Sequence, residues 1–214
     1  MAWNGKKLLS TYRVPPCPFS FKPTTQAMKK QTHAAVSVLV CFLFVFPSIQ
    51  SQTCKPSGKI RAPKPRSGHC TIEDDPDCCK EGKLYTTYSC SPPVSNHTEA
   101  TLTLDSFEAD GDGSAPSKCD NRYHSDDKPI VALSTGWFGK KKRCFEYIDI
   151  HGNGKIVKAK VVDECDSKMG CDAEHDYYPP CRNNIVVASK AVWKALDVPF
   201  NQWGQMNIYW SDTK

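Results

Sequence analysis

Residues 130–163, IVALSTGWFGKKKRCFEYIDIHGNGKIVKAKVVD, contain the most regular pattern in the chain. β-Branched and aromatic residues concentrate in three segments, which we predict to be strands at Ile130–Phe138, Cys144–Ile150 and Lys155–Asp163. The residues between the second and third segments, His151–Gly154 (HGNG), have the composition of a hairpin turn. This stretch therefore predicts a mainly β fold.

The same pattern continues, more weakly, on both sides. We predict strands at Thr101–Phe107 (TLTLDSF), which alternates, and at Met206–Trp210 (MNIYW), and one short strand at Leu84–Tyr88. Together these segments predict one domain, a small β-barrel or sandwich with one inserted helix. The cysteine-dense, irregular residues before this domain predict a stapled N-terminal extension.

The inserted helix is predicted at Asn183–Leu196, NNIVVASKAVWKAL. Apolar residues recur there at helical spacing and share one face, and an asparagine precedes them as a cap. Val187 falls on the same side of this helix as Lys190 and Lys194, where the pattern calls for a polar residue.

An acidic, cysteine-containing stretch follows the third strand, Lys160–Cys181 (KVVDECDSKMGCDAEHDYYPPC). Residue types this close together are found in metal sites, in pairs of catalytic carboxylates and in disulfide-stapled loops. The acids, histidine and cysteines are Asp163, Glu164, Asp166, Asp172, Glu174, His175, Asp176, Cys165, Cys171 and Cys181.

A zinc site is disfavoured by spacing. Five, three and five residues separate Cys165, Cys171, His175 and Cys181, unlike the short paired spacing of structural zinc motifs. We therefore expect no metal and no other cofactor in this stretch.

Catalysis is weakly supported by the residues alone. A cysteine nucleophile needs a free thiol of low pKa, which an even number of cysteines in an oxidising compartment disfavours. Ser134 lacks the flanking glycines of a nucleophile turn. Glycoside hydrolysis needs two facing carboxylates, and Asp163, at a predicted strand end, is a candidate for one of them.

The N-terminal residues read as targeting sequence. Basic residues at Met28–Lys30, an apolar run to Ile49 and small residues near Ser51 predict a secretory signal peptide over residues 28–51. The alternative is a membrane anchor, but the run ends at Pro47 and is short for a span. Residues 1–27 are interpreted as an over-extended start site, with a transit peptide as the alternative.

Charge is balanced once this leader is set aside. Of the 28 Lys and Arg residues six lie in residues 1–51, which leaves 22 against 23 acidic residues. The expected partners therefore include neither nucleic acid nor a membrane. The basic loop Gly139–Arg143 is predicted to be a solvated turn.

Ten cysteines follow the leader and predict up to five disulfides in a secreted chain. Five of them lie in residues 54–90 and five in residues 119–181, so full pairing requires at least one bridge between the extension and the domain. The ten are Cys54, Cys70, Cys78, Cys79, Cys90, Cys119, Cys144, Cys165, Cys171 and Cys181.

Several multi-residue motifs resemble the kiwellin or ripening-related protein family of plants. They are CKPSGKI, CCKEGK and YSCSPPV in the extension, and GDG with PSKCDNRYHSDD (Gly111–Asp127), VALSTGWF (Val131–Phe138), VVDECDS with GCD (Val161–Asp172) and PPCRNNIV with AVW and AL (Pro179–Leu196) in the domain. The resemblance covers nearly all of residues 54–210. It implies a six-stranded double-psi β-barrel, similar to barwin and expansins.

The resemblance also bears on catalysis and on disulfide pairing. In ripening-related proteins the stretch before the helix usually reads NNIVD, whereas this chain has Val187 in place of the acid that could face Asp163. A valine cannot act as general acid, base or nucleophile, so we expect no enzymatic activity. Similarity to barwin-like proteins implies one bridge, Cys119 with Cys144.

The resemblance implies a secreted, apoplastic binding protein of defence or ripening, a monomer whose target is a pathogen-secreted protein such as a fungal chorismate mutase. A cell-wall glycan is the alternative partner, for which Trp203 and three other aromatic residues could stack on sugar rings. The expected contact residues are Trp137, Phe138, Lys140, Lys141, Lys142, Arg143, Asp163, Asp166, Tyr177 and Tyr178.

Two further expectations concern organisation. Residues 52–95 are expected to form the cysteine-rich extension and residues 96–214 the barrel domain. Asn96, within the sequence Asn-His-Thr, is a predicted glycosylation site in a polar loop.

Overall fold

The computed structural model describes residues 53–64, 77–109 and 115–213. The predicted signal peptide and the segment before it lie outside the described residues, as does Cys70. The described residues belong to one compact unit.

Six of the eight strands found in the described residues close into a barrel. In chain order the strands are β1 (Gly58–Arg61), β2 (Leu84–Thr87), β3 (Thr98–Leu104), β4 (Ile130–Ser134), β5 (Tyr147–Gly152), β6 (Lys155–Cys165), β7 (Ile185–Ala188) and β8 (Gln205–Asp212). The barrel order is β3-β7-β4-β6-β5-β8, whereas β1 and β2 form a separate two-stranded sheet. The mainly β class and the six-stranded barrel are therefore confirmed.

This barrel mixes two parallel strand pairs with four antiparallel pairs, which local hairpins alone cannot produce. β5 and β6 form the hairpin predicted from HGNG, with Gly152 opposite Lys155. β3 pairs in parallel with β7, and β4 pairs in parallel with β6. The parallel pairs join strands distant in sequence, so a connecting segment must cross over between them.

The predicted helix over Asn183–Leu196 is wrong in its first half. Ile185–Ala188 is strand β7, and only Lys190–Ala195 is helical, as α2. All four residues of β7 are buried between β3 and β4, so its apolar run is continuous, as in strands covered on both faces. Such a short run matches a helical pattern equally well.

The end of the first predicted strand is also helical. β4 stops at Ser134, and Thr135–Phe138 forms one helical turn, α1, which ends at Gly139 in the left-handed conformation. This turn carries Trp137 and Phe138 into the core.

The hydrophobic core fills the barrel interior and includes the buried side chains of helices α1 and α2. Three tryptophans, Trp137, Trp193 and Trp210, are the largest fully buried side chains, and the rings of Trp137 and Trp210 meet edge to face with centroids 5.2 Å apart. This edge-to-face geometry is favourable between aromatic rings.

Disulfides tie the extension to the barrel. The described pairs are Cys54–Cys90, Cys79–Cys171, Cys119–Cys144 and Cys165–Cys181. Cys119–Cys144 is the pair that the resemblance implied, and Cys79–Cys171 is the required bridge between extension and domain. Cys78 is also disulfide-bonded.

Candidate functional site

A groove of about 970 Å³ lies beside the carboxyl end of β6. Its walls are residues 104–108, 115–118, 163–166, 174–175, 178–179 and 181. Six acidic side chains line it, against two lysines and one histidine, so we name it the acidic groove: Asp105, Glu108, Asp163, Glu164, Asp166 and Glu174, with Lys118, Lys190 and His175.

The floor of the acidic groove is apolar and lies outside the barrel. Val131 and Leu133 belong to the barrel core, whereas Ala132 between them belongs to a second, smaller cluster. Likewise, Val186 belongs to the barrel core and Val187 to the second cluster. Because side chains alternate along a strand, Ala132 and Val187 face outward, into the groove.

A β-bulge brings Asp163 to this face. Val131 lies opposite Val161, but Ala132 lies opposite Asp163, so Val162 is the extra residue in β6. Val162 packs in the outer cluster, and Asp163 lines the groove beside it. Bulges commonly redirect a side chain near functional sites, and here the extra residue moves a carboxylate from the inward to the outward side.

Hydrogen bonds hold the Asp163 carboxylate in place. Its Oδ1 accepts from the backbone N–H groups of Lys118 and Glu164, both at 2.7 Å. Burial raises the pKa of Asp163 above its ordinary value, because removal from water disfavours the charge, and these two hydrogen bonds oppose the rise.

The raised pKa predicts a pH dependence of folding stability. The folded chain binds the Asp163 proton more tightly than the unfolded chain, so the free energy of unfolding falls as pH rises from about 3.9 through the raised pKa. In the Asp163→Asn variant the amide oxygen can still accept both hydrogen bonds, and this fall should disappear. Urea unfolding of both chains between about pH 3 and 7 measures the difference.

Asp172→Asn is the matched control for this prediction. Slight burial would raise the pKa of Asp172, but its hydrogen bond to His175 and the charge of His175 outweigh this and lower it. Stability from Asp172 should therefore be lost as pH falls, the opposite sign. If the difference in the free energy of unfolding between the wild-type chain and the Asp163→Asn variant does not change with pH, the raised pKa of Asp163 is contradicted.

Other groove acids also serve as hydrogen-bond acceptors. Glu164 accepts from the hydroxyl of Thr135 at 2.7 Å, and Glu108 accepts from the backbone N–H of Asp126 at 3.0 Å. Asp166 accepts from the N–H groups of Lys168 and Met169. These three acids therefore stand in defined positions and contribute to a preorganised negative potential in the groove.

Position 187 stands across the acidic groove from Asp163. Val187 lies opposite Ala132 on β4, and Ala132 lies opposite Asp163 on β6, so the two residues are two strands apart. That separation is about 10 Å between backbones. Because residue 187 is on a strand and not on the lysine face of a helix, the helical placement predicted for Val187 is wrong. Val187 and Asp163 lie on the same outer face of the sheet and both line the groove.

The loop over one wall of the groove is stapled at two points. Cys165–Cys181 closes its base, and Cys79–Cys171 joins its middle to the extension. Gly170 lets the loop fold tightly, since a Cβ there would lie 2.6 Å from the backbone nitrogen of Pro180. Three of the four residues considered for zinc are thus disulfide-bonded, and no described group of three metal-binding side chains converges.

The predicted contact residues separate into four groups, one of which consists of buried aromatic residues. Asp163, Asp166 and Tyr178 line the acidic groove. Lys140, Lys141 and Lys142 are exposed on the loop after α1 and do not line it. Arg143 belongs to the scaffold, because it donates to Asp212 and to the carbonyl of Trp137.

Three predicted contact residues are buried, so that part of the prediction is wrong. Trp137 and Phe138 are 1% exposed and Tyr177 is 4% exposed. The indole N–H of Trp137 donates to the carbonyl of Pro92, at 2.8 Å, which ties the extension to the barrel core. Aromatic residues serve in both cores and interfaces, and sequence did not distinguish the two here.

The groove also contains residues that sequence reasoning missed. Lys118 and Lys190 supply its positive charges and Glu108 and Glu174 part of its negative charge. They come from segments far apart in the chain, and no spacing pattern connects them. Asn96 is exposed in the turn before β3, and its glycosylation stays a prediction.

A second concavity, of about 750 Å³, lies on the barrel wall formed by β3, β5 and β8. His97, Tyr209 and His151 stack along it, with ring centroids 3.8 and 4.4 Å apart. Stacked rings turn their edges to solvent, so this wall offers no row of free ring faces.

Within the described ranges, no helix is long and apolar enough to cross a membrane.

Comparison with known proteins shows that this chain is similar to members of a plant protein family. The family model described as Kiwellin-1 matches residues 26–213. Ripening-related protein 2 of Oryza sativa subsp. japonica is 51% identical over 159 residues, which are 74% of this chain and 79% of that protein. Kiwellin of Actinidia chinensis is 48% identical over 166 residues, 77% of this chain and 75% of that protein.

Among solved structures the similarity is remote. An expansin of Clavibacter michiganensis aligns with a TM-score of 0.42 and 21% identity, over 55% of this chain and 50% of that chain. A Streptomyces papain inhibitor aligns with a TM-score of 0.40 and 15% identity, over 57% of this chain and 98% of that chain.

Proposed function

We propose, from the premise that this chain belongs to the kiwellin and ripening-related protein family, that it is a non-catalytic binding protein whose acidic groove receives a pathogen-secreted protein. The observation that carries the proposal is the groove itself. It has an excess of carboxylates around an apolar floor, and the aliphatic Val187 lies two strands from Asp163, whose pKa is raised by burial.

The charge of the groove defines the kind of partner. Six acids against two lysines favour a segment rich in lysine and arginine. The apolar floor, with Ala132 and Val187, favours an aliphatic side chain at the centre of that segment. The exposed ring of Tyr178 at the rim supplies the aromatic contact common in protein interfaces.

Catalysis on a glycan would need a second acid facing Asp163. A carboxylate at position 187 would stand two strands away, a spacing similar to the separation of about 6.5–9.5 Å in inverting glycosidases. Val187 cannot transfer a proton. Glu108, Glu164 and Asp166 are engaged in hydrogen bonds that order loops.

The disulfide-rich extension and barrel suit an extracellular protein, and we place this chain in the apoplast as a monomer. A fungal chorismate mutase secreted into that space is the partner we test first. Cell-wall glycan is the less favoured ligand of the groove, because Trp137 and Tyr177 are buried and Trp203 is half-buried.

The test measures binding of a purified secreted fungal chorismate mutase by titration calorimetry, together with the activity of that enzyme. The chain, expressed for secretion, should bind and lower the activity. An Asp163→Asn, Glu174→Gln variant should bind at least about tenfold more weakly, because it loses two charges that face the partner.

A matched variant, Glu99→Gln with Glu146→Gln, removes the same two charges from surfaces outside the acidic groove. It should bind like the wild-type chain. The proposal is contradicted if no complex forms, or if the chain hydrolyses a glycan and the Asp163→Asn substitution abolishes that hydrolysis.

A further inference from the structure

A second charged surface lies away from the acidic groove. Phe145, in the turn before β5, and Tyr147, the first residue of β5, form it together with Lys158 and Lys160 on the neighbouring β6 and the loop lysines 140–142. We name these seven residues the basic–aromatic patch. None of them lines the acidic groove or the second concavity.

Each ring in the basic–aromatic patch has a lysine beside it. Phe145 is 41% exposed and Tyr147 is 45% exposed, which is high for large aromatic side chains. The Lys160 ammonium lies 5.0 Å from the centroid of the Phe145 ring, and the Lys158 ammonium lies 5.8 Å from that of Tyr147. The patch therefore alternates rings and cations over two adjacent strands.

The backbone that presents these groups is held in an uncommon conformation. Lys140, Lys141 and Phe145 have φ values of 57°, 69° and 67°, a left-handed region that side chains other than glycine rarely adopt. Such conformations persist only where the surroundings enforce them, and they concentrate at functional sites.

Two contacts enforce this loop. The Cys119–Cys144 bridge fixes its end, and Arg143 donates from Nε and Nη2 to Asp212, at 2.9 and 3.1 Å. Arg143 also lies 5.6 Å over the ring of Trp210 in the core. The scaffold thus presents the lysines before a ligand arrives, which lowers the entropy cost of binding.

Positive charge predominates in the basic–aromatic patch. Its five lysines meet three nearby acids, of which Asp212 pairs with Arg143. Asp149 stands opposite Lys158 and accepts from the hydroxyl of Thr213 at 3.2 Å. Glu146 is the third acid and is exposed between the two rings.

We propose that the basic–aromatic patch binds a carboxylated polysaccharide, a chain of uronic acid sugars. A uronate offers a carboxylate for an ammonium group and an apolar face of C–H groups for an aromatic ring, and the patch places these two partners side by side. Lysines act as separate point charges, which suit spaced single carboxylates better than the paired oxygens that arginine grips.

The test uses polygalacturonate as the probe and measures its binding to the secreted chain by titration at several salt concentrations. Lys158→Gln with Lys160→Gln should weaken binding at least about tenfold at about 0.1 M salt and flatten the salt dependence, because fewer counterions are released. Tyr147→Ala should weaken binding by about fivefold at unchanged salt dependence, because it removes stacking and no charge.

Lys83→Gln is the matched control, because Lys83 lies 4.9 Å over the ring of Tyr85 on the β1–β2 sheet, outside the patch. It should leave the affinity unchanged. The proposal is overturned if polygalacturonate does not bind, if its fully methyl-esterified form binds as tightly, if Lys83→Gln weakens binding as much as the patch variant, or if duplex DNA or phosphatidylserine vesicles bind more tightly than polygalacturonate. Chorismate mutase binding should be unaffected by the patch variant, so the two proposals fail independently.

Discussion

Replacing Trp137 by alanine is expected to lower the free energy of unfolding by about 3–5 kcal/mol. The indole is 1% exposed, packs edge to face on Trp210 and donates to the carbonyl of Pro92. The substitution therefore opens a large cavity and also leaves a carbonyl of the extension without its donor. Urea unfolding followed by tryptophan fluorescence and circular dichroism measures the loss.

Trp203→Ala is the control for this prediction. Trp203 is half-buried at the edge of the core, and its indole N–H donates to the nearby carbonyl of Val198. Its removal should cost clearly less than the removal of Trp137. A loss below about 1 kcal/mol for Trp137→Ala would contradict the burial of this residue and restore it as a surface contact residue.

Removal of the Cys79–Cys171 bridge, as Cys79→Ala with Cys171→Ala, is the second large effect. The bridge closes a loop with a sequence separation of 92, so its loss restores much entropy to the unfolded chain. The chain-entropy relation gives about 4–5 kcal/mol. Both sulfurs are buried, and alanine introduces no unpaired polar group there.

Cys165→Ala with Cys181→Ala provides the comparison, because that bridge spans only 16 residues. The same relation predicts about 1.5 kcal/mol less destabilisation than for Cys79–Cys171. Denaturant unfolding of both variants under non-reducing conditions gives the two values. Equal losses, or a larger loss for Cys165–Cys181, would show that local packing and not loop closure determines what the bridges contribute.

Alternation with a polar face and a hairpin turn made two strands of the barrel predictable. β5 and β6 alternate and meet at HGNG, and their prediction is confirmed to within a few residues. β7 escaped because both of its faces are covered, which removes the alternation that marks a strand. β1 escaped because Gly58–Arg61 is short and mostly exposed.

The acidic groove was only partly predictable for a related reason. Asp163 was identified from its place at a strand end, but its direction depends on the bulge at Val162. A bulge depends on pairing with β4, some thirty residues earlier, and no local pattern records it. The resemblance supplied what local pattern could not, namely that residue 187 faces Asp163.

The basic–aromatic patch could not be predicted from local sequence either. The segment GKKKR (Gly139–Arg143) is easily recognised in the sequence, where it predicts a solvated turn. The exposed rings and Lys158 and Lys160 join it only through the register of β5 with β6. Tertiary pairing converts a common charge run into a surface with a definite chemistry.

The measurement that tests the central claim most directly is the ratio of two dissociation constants for the secreted fungal chorismate mutase. One is that of the Asp163→Asn, Glu174→Gln variant, and the other is that of the charge-matched Glu99→Gln, Glu146→Gln variant. A binding role for the acidic groove predicts a ratio of at least about ten. A ratio of one, with both variants binding like the wild-type chain, would contradict it.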